Sequence, residues 1–104
     1  MKNLLLLEED TLFTKSLIQY LRLNGYTIDF VKSEEEVLNL SYQNDYCLYL
    51  FNLDKVMNGL ELLRSLRDAD DITPTIIISD KIETLHLTKA FIAGANDYIK
   101  NHLI

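Results

Sequence analysis

Short apolar runs recur along this chain, and each except the last gives way to a stretch whose apolar residues return at helical spacing. Leu4 to Leu7 form the first run, which Glu8, Glu9 and Asp10 stop. Unbroken apolarity over so few residues is the pattern of a parallel strand buried on both faces. Cys47 to Phe51 repeats it, Tyr26 to Val31 and Thr75 to Ser79 read as further short strands, and Tyr98 with Ile99 is the kernel of a fifth. The intervening segments carry helical stripes: Phe13, Leu17 and Leu21 with Ile18, then Val37, Leu38 and Leu40, then Leu60, Leu63 and Leu66, then Leu85 to Ala93. A strand followed by a helix, four times over, with a closing strand predicts a parallel sheet of five strands covered by helices on both faces.

The punctuation agrees with that division. Asp10 is placed to cap the first helix, and Asn24-Gly25 to end it, because both tolerate the left-handed conformation. Ser33 and Glu36 form a capping box for the second helix. Pro74, which has no amide hydrogen to donate, suits the entrance of the fourth strand, and Gly94 the end of the fourth helix. Only Lys100 to Ile104 follow the fifth strand, so the closing helix that such a sandwich calls for is expected to be absent or truncated.

A chain of 104 residues supports one core, and residues 1–104 are read as one domain. Sixteen acids against ten lysines and arginines give a formal charge of -6, which argues against a nucleic-acid surface or an anionic-membrane surface on this segment. A lone cysteine, Cys47, has no partner within the chain and is expected as a buried thiol. MKNLLLLEED is no secretory leader, and no apolar run approaches the roughly 20 residues of a membrane span. A cytoplasmic location is the expectation.

In a sheet of this kind ligands gather at the carboxyl ends of the strands. Those ends offer Glu8, Glu9 and Asp10, then Asn52 and Asp54, then Ser79 and Asp80, then Lys100 and Asn101. Clustered oxygens suit a hard cation such as Mg²⁺, which could neutralise a phosphoryl group while a lysine and a hydroxyl hold its other oxygens. Taken singly, each acid is as well explained as a helix cap, Ser79 as a turn residue and Lys100 as a surface amine.

These residues carry a familiar pattern: the chain resembles a receiver domain of bacterial two-component response regulators. LLLLEED resembles the family's first strand with its metal-binding acidic pair, here Glu8 and Glu9. YCLYLFN resembles the third strand, which ends in the phosphoacceptor aspartate, and MNGLELLRSLR the opening of the third helix. TPTIIIS places Ser79 on the family's hydroxyl position, and AGANDYIKN places Tyr98 on its switch aromatic. The resemblance implies a flavodoxin-like, three-layer α/β/α fold with strand order 2-1-3-4-5, less its final helix.

The departures bear on function. The acceptor position falls on Asn52 counted forward from Tyr46, and on Phe51 counted back from Gly59. Neither side chain is a nucleophile that can form an acyl phosphate. The family's lysine falls on Asn101 and the proline after it on His102, with Lys100 one place early. The expected function is therefore that of an atypical receiver: a phosphorylation-independent signalling module, not an enzyme, with no required cofactor. It would engage a protein partner or a second copy through a face drawing on Leu85, Leu87, Phe91, Tyr98 and His102, beside a linked DNA-binding domain. The alternative is a phosphorylatable receiver using Asp54, with Mg²⁺ at Glu8 and Glu9. A small flavodoxin-like enzyme is disfavoured, because no glycine loop follows the first strand.

Overall fold

The computed structural model describes residues 2–53, 59–81 and 83–100. Its elements run β1 (Asn3–Leu7), α1 (Leu12–Leu23), β2 (Thr27–Val31), α2 (Glu34–Gln43), β3 (Leu48–Asn52), α3 (Gly59–Asp68), β4 (Thr75–Ser79), α4 (Thr84–Ala93) and β5 (Asp97–Lys100). The strands form one parallel sheet in the order β2-β1-β3-β4-β5. This is the three-layer flavodoxin-like architecture, with four helices among the described residues.

The two sheet faces are covered unequally. On one, Leu5, Leu7, Tyr49, Phe51 and Ile77 pack with residues of α2, α3 and α4 into the main core. On the other, Leu4, Leu6 and Ile28 pack against Ile18 of α1, and Leu48 and Leu50 are only partly buried. Ile76 and Ile78 of β4 are half-buried and Ile99 of β5 is exposed.

Several sequence expectations are corrected in detail. Helix α1 is capped by Thr11, not Asp10: the Thr11 hydroxyl accepts from the Thr14 amide at 3.2 Å, while Asp10 pairs loosely with Lys32 at 3.7 Å. The inward stripe of α1 begins at Thr14, which is fully buried, and Phe13 lies exposed. A threonine can occupy that core position because its hydroxyl donates to the carbonyl of Glu9, which removes the cost of burying it. In α2, Val37 is buried and Leu38 is exposed. Cys47 is also exposed, because β3 begins only at Leu48; its thiol donates to the carbonyl of Asn3.

The capping box holds: Ser33 accepts from the Glu36 amide at 3.2 Å, and the Glu36 carboxylate accepts from both the Ser33 hydroxyl and the Lys32 amide. Asn24 caps α1, and Gly25 behind it has a φ of 90°, which an L side chain rarely adopts.

Candidate functional site

Register sets Leu7 of β1 beside Phe51 of β3, so the next residues, Glu8 and Asn52, leave adjacent strands together. Both side chains are buried, at 6% and 1% exposure. The Asn52 amide nitrogen donates to Oε1 of Glu8 at 2.8 Å, and the Glu9 amide donates to the same oxygen at 2.9 Å. A hydrogen bond to an ionised acceptor is about twice as strong as a neutral one. Oε2 of Glu8 is buried with no hydrogen-bond partner among the described residues. With Leu7, Glu9, Asp10, Thr11 and Lys32 the pair lines a cleft of about 360 Å³.

The acidic character of this cleft was legible from Glu8 and Glu9, but the place of Asn52 in it is more definite than spacing could show. The asparagine supplies an N–H where an acceptor aspartate would supply a charged oxygen, and that N–H is engaged with the nearest carboxylate. Asn52 brings no charge to this position, so the strand ends offer Mg²⁺ the carboxylates of Glu8 and Glu9 without the one that an acceptor aspartate would add. Among the described residues no group of three or more histidine, cysteine or acidic side chains is placed to hold a metal. Lys32, which directly follows β2, and Thr11 also line the cleft, and neither was among the strand-end residues read from the sequence.

Ser79 and Tyr98 line a second hollow of about 120 Å³, with Leu53, Lys81 and His86 among its neighbours. The Ser79 hydroxyl accepts from the Lys81 amide at 3.1 Å, and the Tyr98 hydroxyl donates to the Lys81 carbonyl. The loop after β4 is thus pinned from both sides. Lys100 is exposed and stands in register with Ser79. Asp54, Asn101 and His102 lie outside the described residues.

On α4 the inward positions are Ala90 and Ala93. Phe91, at 48% exposure, and Leu85 point to solvent, and Leu87 and Tyr98 are half-buried. Ile92 and Ile99 are exposed as well. The sequence reading overlooked both; the signal available was that two alanines already fill the helix's inner stripe.

A parallel sheet in this order, with an acidic cleft at the ends of β1 and β3 and a hydroxyl and an aromatic at the ends of β4 and β5, defines a receiver-type signalling domain. The comparisons agree. Residues 4–102 match the family model described as response regulator receiver domain, and the chain belongs to that family. It is 33% identical over 98 residues to the cell cycle transcriptional regulator CtrA of Caulobacter vibrioides, covering 93% of this chain and 42% of that protein. It is 32% identical over 100 residues to the response regulator ArlR of Staphylococcus epidermidis, covering 95% of this chain and 45% of that one. The chain thus spans less than half the length of these curated relatives.

Among solved structures, it superposes on a CheY-like receiver domain protein of Methanospirillum hungatei with a TM-score of 0.87 at 24% identity, covering 100% of this chain and 84% of the other. For HP1043, an orphan response regulator of H. pylori, the TM-score is 0.85 at 22% identity, covering 97% and 83%. At these identities the structural likenesses speak for the fold. The domain is an atypical receiver, with Asn52 standing where the family carries its acceptor aspartate, and it is a signalling module, not an enzyme. Among the described residues no helix is long and apolar enough to cross a membrane.

Proposed function

We propose that this domain signals without phosphorylation, as a constitutive interaction module working in the cytoplasm. The observation that carries the reading is the buried hydrogen bond from Asn52 to Glu8. A phosphoryl acceptor must offer a nucleophilic oxygen, and here the side chain at that position donates a hydrogen bond instead. Regulation then has to pass through surface contacts. Leu85, Phe91 and Ile92 of α4 and Ile99 of β5 supply exposed apolar area, with Leu87 and Tyr98 half-buried beside them. That face would bind a second copy of the domain or a protein partner. The names of relatives such as CtrA, a transcriptional regulator, support a linked DNA-binding domain, and the acidic balance of this segment leaves any contact with DNA to that domain.

Incubation with a small phosphodonor and Mg²⁺, followed by intact-mass spectrometry, tests the first half of the proposal. The expected result is an unchanged mass. A stable gain of one phosphoryl group, abolished by Asp54→Asn, would instead establish Asp54 as the acceptor and overturn it. Light scattering of the wild type and of Phe91→Asp tests the second half, and the variant should lose whatever association the wild type shows.

A further inference from the structure

At the amino-terminal edge of the sheet, the opposite end of β3 from Asn52, a groove of about 750 Å³ lies between the last turns of α2 and α3. Its charged lining is anionic: Asp45, Asp70 and Asp71 border it, and among the described residues no lysine or arginine does. Asp71 is already held by Tyr49 and Thr73, whereas the carboxylates of Asp45 and Asp70 make no hydrogen bond or ion pair among the described residues. Two helix carboxyl ends add partial negative charge here. Helix α2 has no basic residue in its last turn, and Arg67 of α3 is engaged with the carbonyls of Gly94, Asp71 and Thr73. The groove therefore lacks the cation that its surroundings favour.

It is also apolar at its rims. Tyr42 is 93% exposed and Ile72 85% exposed, with Leu38 one helical turn before Tyr42. An aromatic face beside free carboxylates is the setting in which a guanidinium stacks and pairs at once. We propose that the groove docks an arginine-bearing, partly aliphatic segment of a partner protein. The guanidinium lies against Tyr42 and pairs with Asp45 or Asp70, and a neighbouring aliphatic side chain covers Leu38 and Ile72. Exposed rims on both helical sides suit an extended segment, whereas a small cation would leave Ile72 and Leu38 in water.

The probe is a fluorescent octapeptide of alternating arginine and leucine, titrated against the domain by anisotropy and by two-dimensional amide spectra. Saturable binding with shifts at Leu38, Tyr42, Asp45 and Ile72 is expected. The double variant Asp45→Asn, Asp70→Asn should weaken it about fivefold or more. The double variant Glu35→Gln, Glu61→Gln removes the same charge from the first turns of α2 and α3 and should leave the affinity unchanged. Equal loss in both double variants would reduce the effect to net charge and overturn the proposal. So would shifts absent from those four residues, or equal affinity for arginine amide alone.

Discussion

The guanidinium of Arg67 donates to the carbonyl oxygen of Gly94 through both Nε and Nη2, at 3.1 and 2.8 Å, and so fastens the end of α3 to the end of α4. The same side chain reaches Asp71 O, Thr73 O, Thr75 Oγ1 and Asn96 Oδ1. Gly94 sits at φ 115°, and a Cβ there would stand 2.7 Å from Arg67 Cγ. Backbone strain and collision thus act together at one position.

Gly94→Ala is expected to lose about 2 kcal/mol, and Arg67→Ala about 3 kcal/mol because several carbonyls lose their donor at once. Urea denaturation of each variant measures both. The double variant should cost less than the sum, since the new Cβ then meets no arginine side chain. Strict additivity would show that the two residues do not act as one clasp.

Tyr49 and Asp71 form a second long-range link, the tyrosine hydroxyl donating to the carboxylate. Burial, then the hydrogen bond to Asp71, pushes the Tyr49 hydroxyl up to about 12. Burial alone would raise Asp71 as well, but hydrogen bonds from Thr73 and Tyr49 and the Arg67 charge outweigh it and hold the carboxyl below its usual range. For a depressed acid, the stabilisation is present above its unfolded pKa of about 3.9 and is lost as pH falls through the folded value. Asp71→Asn should therefore be less stable than wild type at pH 7, and the gap should close in acid. For Tyr49 the sign reverses: its contribution is whole below about 10 and fades as pH rises through the folded value. Absorbance titration of wild type against Tyr49→Phe should show one tyrosine ionising later than the exposed ones.

How much of this was legible beforehand follows from what sequence patterns encode. Strand runs such as Thr75–Ser79 were read with their observed bounds, because three isoleucines between Pro74 and Asp80 make a short apolar run with clear limits. The acidic pair Glu8 and Glu9 and the anomaly at Asn52 were also legible, since strand ends locate the cleft. Helix faces were less so. Phe13 and Thr14 are adjacent, and hydrophobicity favours the phenylalanine for the core; only the tertiary hydrogen bond to Glu9 O reverses the choice. Neither the Arg67 clasp nor the α2–α3 groove leaves any periodic trace.

That reversal is itself testable. Thr14→Val keeps the shape but removes one of the two donors to the Glu9 carbonyl, leaving the Thr11 amide, and weakens the cap at Thr11, and it should cost about 1 kcal/mol. Phe13→Ser, at an exposed position, should stay within about 0.5 kcal/mol of wild type. Thermal unfolding of the pair decides it. A larger loss at Phe13 would restore the apolar stripe as first read from the sequence.

Asn52→Asp bears most directly on the cleft. The substitution replaces an N–H that satisfies Glu8 with a second carboxylate at hydrogen-bond distance, where both cannot comfortably ionise. At pH 7 the variant should lose about 2 kcal/mol. The new carboxyl has its folded pKa raised, so its deficit is absent below about 3.9 and opens as pH rises through the folded value. Mg²⁺ should reverse the deficit, because the new group adds a carboxylate beside those of Glu8 and Glu9. Urea midpoints with and without Mg²⁺, at pH 7 and in acid, measure both effects. A variant as stable as wild type at pH 7, and indifferent to Mg²⁺, would mean that Asn52 and Glu8 are not electrostatically coupled.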